Sequence, residues 1–190
     1  MKSTIYIQQI GELDKSVLVD LKNYLELEFK NKKISIIIIQ EQIQLEDSEY
    51  NSKEEQYKAD QILNRLIKLN KNKHYFRLLG VMDNDIYTKN YKFIFGITRL
   101  YSNVALISIT RLREKFYEKL GSTCRKPKNK KIFDLRVLKE AIHELGHTFG
   151  LKHCSNFCVM LFSNCLADTD KKPAKYCPSC LKIIKTSQIY

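Results

Sequence analysis

Three of the four histidines in this 190-residue chain fall within one short string, His143-Glu144-Leu145-Gly146-His147-Thr148-Phe149-Gly150-Leu151-Lys152-His153. On a helix, residues four apart share a face, so His143 and His147 can aim both imidazoles at one ion. Glu144 lies one step round, near that ion without having to bind it. Glycine tolerates left-handed backbone, so Gly150 is suited to end the helix and let His153 return as a third nitrogen ligand. Three protein ligands leave a coordination position open, the mark of a catalytic rather than a structural zinc. Histidines flanking a glutamate at this spacing arise by chance in roughly one chain in a few hundred, and the added glycine and third histidine make coincidence far rarer. Gly146 costs a helix about 1 kcal/mol relative to alanine, which a purely structural helix would not favour. His74, the fourth histidine, reads as a surface or loop residue.

The cysteines are just as unevenly placed: Cys124, Cys154, Cys158, Cys165, Cys177 and Cys180 all lie towards the C-terminus. The first residues lack the apolar core and small-residue cleavage site of an export signal, which predicts a cytoplasmic protein. In that compartment the closing Cys177-Pro178-Ser179-Cys180 points to metal rather than to disulfides. A thiol–disulfide exchanger is the alternative, but the C-x-x-C lacks a thioredoxin-like context.

Strand and helix signals alternate through the first half. Thr4 to Ile10 predicts a strand, and Asp14 a cap for a helix whose apolar positions are Val17, Leu18, Leu21, Tyr24 and Leu25. Lys33 to Gln40 predicts a buried strand. Ser52-Lys53-Glu54-Glu55 matches a capping box opening a helix with Ile62, Leu63, Leu66 and Leu69 on one face. Further strands are expected over Tyr75 to Met82, Phe93 to Thr98 and Val104 to Thr110, with at least one antiparallel pair because the connections are short. A short helix from Arg111 to Leu120 would stop at Gly121. Asp134 is expected to cap the long helix that carries the histidines, on a stripe of Leu138, Ala141, Ile142, Leu145 and Phe149. The last forty or so residues show little periodicity and need some other source of order.

The extended string followed by Met160 is the metzincin signature. His153-Cys154, Cys158-Val159-Met160 and Cys177-Pro178-Ser179-Cys180 narrow the resemblance to the archaemetzincins. Gly80-Val81-Met82-Asp83-Asn84-Asp85-Ile86-Tyr87, Phe93-Ile94-Phe95-Gly96 and Arg111-Leu112 with Phe116-Tyr117 are similar to that family too. The resemblance implies an α/β fold: a metzincin-like mixed sheet with packed helices, an active-site helix and a small irregular C-terminal part stapled by a four-cysteine zinc. One domain is expected, with an N-terminal subdomain over residues 1–150 and a zinc-stapled one over 151–190. It implies two zinc ions, a catalytic one on His143, His147 and His153 and a structural one on Cys154, Cys158, Cys177 and Cys180. Only three residues separate Cys154 from Cys158, one fewer than in the family pattern, so Cys165 stands as an alternative to Cys158. Met160 would pack beneath the imidazoles as the Met-turn. Cys124 reads as a lone thiol.

The implied reaction is peptide-bond hydrolysis, with Glu144 as general base and a peptide or protein as substrate. Some metzincins place a tyrosine two residues after the Met-turn methionine; here that position is Phe162. The strand Phe93 to Thr98 is the expected template for an extended substrate, with Gly96 admitting the close approach of its backbone. A peptide-binding module without turnover would not need Glu144. The formal net charge of +12 raises a nucleic-acid partner, but Lys2 to Lys185 are scattered and no stripe combines basic with aromatic residues. The densest run, Arg125 to Lys131, reads as an exposed loop. No apolar stretch is long enough to predict a membrane span.

Overall fold

The computed structural model describes residues 3–99, 102–119 and 129–187. The expected stop at Gly121, the lone Cys124 and most of the basic run lie outside the described residues. Strands β1 (Thr4–Ile10), β2 (Ser35–Ile38), β5 (Arg77–Met82), β8 (Val104–Ser108) and β7 (Gly96–Thr98) form one sheet in the order β2-β1-β5-β8-β7. The first four run parallel, and β7 closes the sheet antiparallel to β8. A second, three-stranded sheet joins β3 (Tyr50–Asn51), β4 (Gln56–Lys58) and β6 (Ile86–Tyr87).

Period-two alternation divides the main sheet between two cores. Ile5, Ile7, Leu79, Val81, Ala105 and Ile107 face helices α1 (Lys15–Phe29) and α4 (Lys130–Thr148). Leu78, Met82, Val104 and Leu106 face the other way, onto Ile62, Leu63 and Leu66 of α2 (Ala59–Lys73). The central strands are therefore covered on both faces, which is why β5 and β8 are buried at every position and read as continuous apolar runs.

Several expected boundaries move. Asp14 does cap α1, accepting from the Ser16 N–H at 2.9 Å. Ser52 to Glu55 caps nothing: it makes a turn with Glu55 at φ 53°, and the chain then runs through β4 into α2. The reciprocal capping box instead lies at Glu46 and Glu49, in a 3-10 turn, where Arg65 of α2 holds Glu49. The run Lys33 to Gln40 is not a fully buried strand: β2 is the edge strand, pairs only with β1 among the described residues, and leaves Ile37 45% exposed. Asp134 sits inside α4 rather than at its start, because Asn129 accepts from the Lys131 N–H and opens the helix a turn earlier. Thr110–Leu112 is a 3-10 turn before α3 (Glu114–Lys119). Among the described residues the tail holds two helices, α5 (Leu166–Lys171) and α6 (Pro178–Ser187), the latter with proline at its first position.

Helix α4 is the axis of the molecule. Its last four turns are almost wholly buried, and the hidden groups include Arg136, Lys139 and Glu140, which no apolar stripe foretells. Arg136 donates both arms of its guanidinium to Asp170 at 2.6 and 2.7 Å and reaches the Leu112 carbonyl at 3.1 Å. Lys139 donates to the Thr169 and Asp170 carbonyls at 2.9 Å each, neutralising the C-terminal end of α5. These contacts dock the tail onto the helix that carries the histidines.

Candidate metal centres and active site

His143 and His147 project from the last turns of α4, as their four-residue spacing requires. The helix ends at Thr148; Gly150 takes φ +86°, and its N–H donates to the His147 carbonyl at 2.9 Å. The reversal brings His153 back, so that the three imidazole centroids stand 4.8, 5.0 and 5.4 Å apart. His143 Nδ1 lies 2.8 Å from the Val159 carbonyl, and His147 Nδ1 lies 2.7 Å from that of Leu151. Carbonyls only accept, so both rings carry their proton on Nδ1 and present unprotonated Nε2 atoms to one another, 3.2 Å apart. Two facing lone pairs repel unless a cation lies between them. Tetrahedral zinc with Zn–N near 2.05 Å holds two nitrogens about 3.3 Å apart, so the spacing fits zinc. Burial holds His143 well below the ordinary imidazole range and lowers His147 and His153 too, which keeps them in the neutral form that binds metal.

Gly146 and Met160 explain one another. A β-carbon on Gly146 would sit 2.5 Å from Met160 Sδ and 3.1 Å from a ring carbon of Tyr176. Met160 is fully buried there, against Gly146 of the helix that carries His143 and His147. Tyr176, which the sequence does not single out, donates its hydroxyl to the Ile142 carbonyl at 2.5 Å and ties the tail to α4.

Glu144 is buried, with Oε2 accepting from Thr98 Oγ1 at 2.7 Å, while the Glu144 carbonyl lies 3.1 Å from the same hydroxyl. Burial, and secondarily Glu140, pushes its carboxyl up to about 8 in the metal-free protein. Thr98 belongs to the edge strand β7, and Gly96 of that strand faces Glu144: a β-carbon on Gly96 would come within 2.6 Å of Glu144 Cγ. The expectation that Gly96 admits a foreign backbone is therefore corrected; it makes room for the carboxylate. β7 itself spans only three of the six residues expected, because Phe93 to Phe95 form part of the loop leading to it. That loop is held by Arg111, which grips Asp85 with two bonds of 2.7 Å and lies between the rings of Phe93 and Phe116.

The four thiols of Cys154, Cys158, Cys177 and Cys180 also converge, with all sulfurs within 4.8 Å of one another. Cys154 Sγ and Cys177 Sγ are 3.8 Å apart, matching the roughly 3.8 Å that tetrahedral zinc with 2.3 Å Zn–S bonds imposes. Burial raises the Cys158 thiol, and the N–H groups of Cys177 and Met160, which point at its Sγ at 3.2 and 3.5 Å, oppose that as donors favouring the thiolate. The Cys180 N–H, above all, draws the Cys177 thiol down to about 6. Cys165 stays outside the cluster, exposed at the start of α5. The Cys154 N–H donates to the Met160 carbonyl at 3.0 Å, so the thiol cluster and the histidines share one short framework.

Peptidase family M54 matches this chain over residues 7–186. The chain belongs to that family. The archaemetzincin of Pyrococcus furiosus is 38% identical over 184 residues, 96% of this chain and 92% of its own. That of Methanocaldococcus jannaschii is 47% identical over 114 residues, a match spanning 60% of each chain. The crystal structure of the Archaeoglobus fulgidus archaemetzincin, complexed with malonate, is 33% identical with a TM-score of 0.76, covering 95% of this chain and 99% of that one. The Methanopyrus kandleri archaemetzincin shares the fold at a TM-score of 0.80 and 24% identity, over 100% and 97% of the two chains. Membership of the archaemetzincin family supports zinc-dependent peptidase chemistry on peptide or protein substrates and lends nothing to a nucleic-acid partner. Among the described residues, no helix is long and apolar enough to cross a membrane.

Proposed function

We propose that the chain is a zinc-dependent peptidase with one catalytic zinc on His143, His147 and His153, a second, structural zinc on Cys154, Cys158, Cys177 and Cys180, and Glu144 as general base. The observation that carries the reading is the pair of unprotonated Nε2 atoms held 3.2 Å apart by carbonyls behind each ring. The chemistry zinc supplies at such a centre is Lewis-acid polarisation of the scissile carbonyl and the attacking water.

The chain's own groups do the rest. Thr98 occupies Oε2 of Glu144, so Oε1, which lies over Gly96, is the atom that takes the proton from attacking water and returns it to the leaving amine. β7 pairs with β8 on one side only among the described residues, and its outer edge offers main-chain groups to an extended peptide. The cleft along it has a volume of about 830 Å³ and runs past Glu144 and all three histidines. The segment from residue 151 onward forms the zinc-stapled part, and the bond between Cys154 and Met160 lets that staple position His153.

The test is cleavage of a peptide library by zinc-loaded protein beside its Glu144→Ala form. Cleavage by the first and none by the second is expected. Equal cleavage by both would remove Glu144 from the reaction, and none by either would overturn the peptidase reading.

A further inference from the structure

One turn before Glu144, the floor of the same cleft carries two charges that the proposed hydrolysis does not use. Glu140 and Lys172 both line the cleft, with side chains only 6% and 1% exposed. Their charged atoms stand 3.8 Å apart, well beyond the 2.7–2.9 Å of a charge-assisted hydrogen bond. Among the described residues Glu140 Oε2 has no hydrogen-bond partner, and neither has the buried hydroxyl of Ser163, which also lines the cleft. The Lys172 ammonium has three protons to donate, and its one side-chain hydrogen bond among the described residues is a long one, 3.4 Å, to the Leu161 carbonyl. Buried polar groups are ordinarily satisfied, so an acceptor and a donor that stop short of each other beside an open cleft are arranged to be completed by what enters it.

We propose that Glu140 and Lys172 form the floor of a side-chain subsite selecting a carboxamide, glutamine in particular, at the substrate position held beside Glu144. The inference rests on the peptidase reading. A carboxamide offers both complements in one planar group: its carbonyl accepts from Lys172 and its amino group donates to Glu140. A lysine side chain would meet the Lys172 ammonium at close range, and a glutamate would meet both Glu140 and Glu144. A leucine would cover two buried charges without pairing either, the arrangement a low-dielectric site tolerates least. Glu140 lies four residues, about 6 Å along the helix axis, from Glu144, a separation that favours the reach of glutamine over the shorter asparagine. A site built to hydrogen-bond a polar side chain discriminates sharply against an apolar one of the same size.

Two readouts on the zinc-loaded protein test this. The first is cleavage of a positional-scanning peptide library. The second is calorimetric binding of peptide hydroxamates that differ only in one side chain: glutamine, asparagine, leucine, glutamate or lysine. The glutamine probe should bind about tenfold or more tighter than the leucine probe, and one library position should show the same order. The double variant Glu140→Gln/Lys172→Met removes both charges with little change of volume, so it should fold, keep its zinc and lose the preference. Equal binding of glutamine and leucine probes overturns the subsite, as does a preference that survives in the double variant. Preference for glutamate also overturns it, by making Lys172 act alone. A library left uncut while the hydroxamates still discriminate would count against the peptidase reading and leave the subsite supported.

Discussion

Glu144 rests on the backbone of Gly96, so close that a β-carbon there would lie 2.6 Å from its Cγ and 2.9 Å from its Oε1. The edge strand and the candidate base are thus built as one unit, with Thr98 two residues along the strand holding the other carboxylate oxygen. A substitution on the strand should reach the chemistry directly.

Gly96→Ala is therefore expected to displace Glu144 and lower kcat at least tenfold, with KM little changed and zinc content intact. Steady-state kinetics beside metal analysis checks this. A rise in KM at constant kcat would return Gly96 to the substrate-binding role that its place in a strand suggests.

Gly146→Ala should destabilise the protein by about 1–3 kcal/mol, although alanine is the better helix former by about 1 kcal/mol. Met160 Sδ occupies the space the methyl group needs, and Tyr176 blocks the other side. Denaturant midpoints of the two proteins decide it; a stabilised variant would mean that Met160 moves freely.

Mild chelation of fully loaded protein should release about one zinc per chain and abolish activity while leaving the secondary structure. The histidine centre is open to the cleft, whereas the four thiols make a closed cluster with three of its cysteines buried. Cys177→Ser should instead loosen the tail and lower the melting temperature. Loss of both ions in parallel would contradict the division.

Glu144 should pull the stability of the zinc-free protein down between pH 5 and pH 9, against the opposite pull of the three histidines and Cys177, whose lowered values gain stability as pH rises. Glu144, raised by burial from its ordinary 4.5 to about 8, favours the folded state only while protonated. That contribution is complete below the unfolded-state value and disappears as pH climbs through the folded-state one. Glu144→Gln keeps the shape without the charge and should remove that pull, so that the variant gains stability relative to the native protein as pH rises. Urea midpoints in chelator at three pH values would show it; an unchanged slope would assign the pH dependence to other groups.

Zinc-loaded Glu144→Gln should retain both metals and lose activity by about 10²–10⁴-fold, the usual contribution of a positioned base. Activity within a few-fold of the native protein would move the proton-transfer role elsewhere in the cleft.

The amino-acid sequence by itself determined the family, the alternating α/β framework and the residues that gather in the histidine and cysteine clusters. It could do so because those features are local: four residues bring His143 over His147, one glycine turns the chain to His153, and period-two alternation marks β1 whatever surrounds it. Tertiary structure alone decided that β2 lies at an edge, that Asn129 rather than Asp134 opens α4, and that Gly96 and Gly146 serve Glu144 and Met160. It also decided that Arg136, Lys139, Glu140 and Lys172 are buried. Apart from the Asn129 cap, which is a local bond to the Lys131 N–H, those outcomes depend on partners far along the chain, from 14 residues for Gly146 and Met160 to 48 for Gly96 and Glu144. Local periodicity carries no record of such partners, because a charge that will be buried against a distant carbonyl is spelled with the same residue as one left in water.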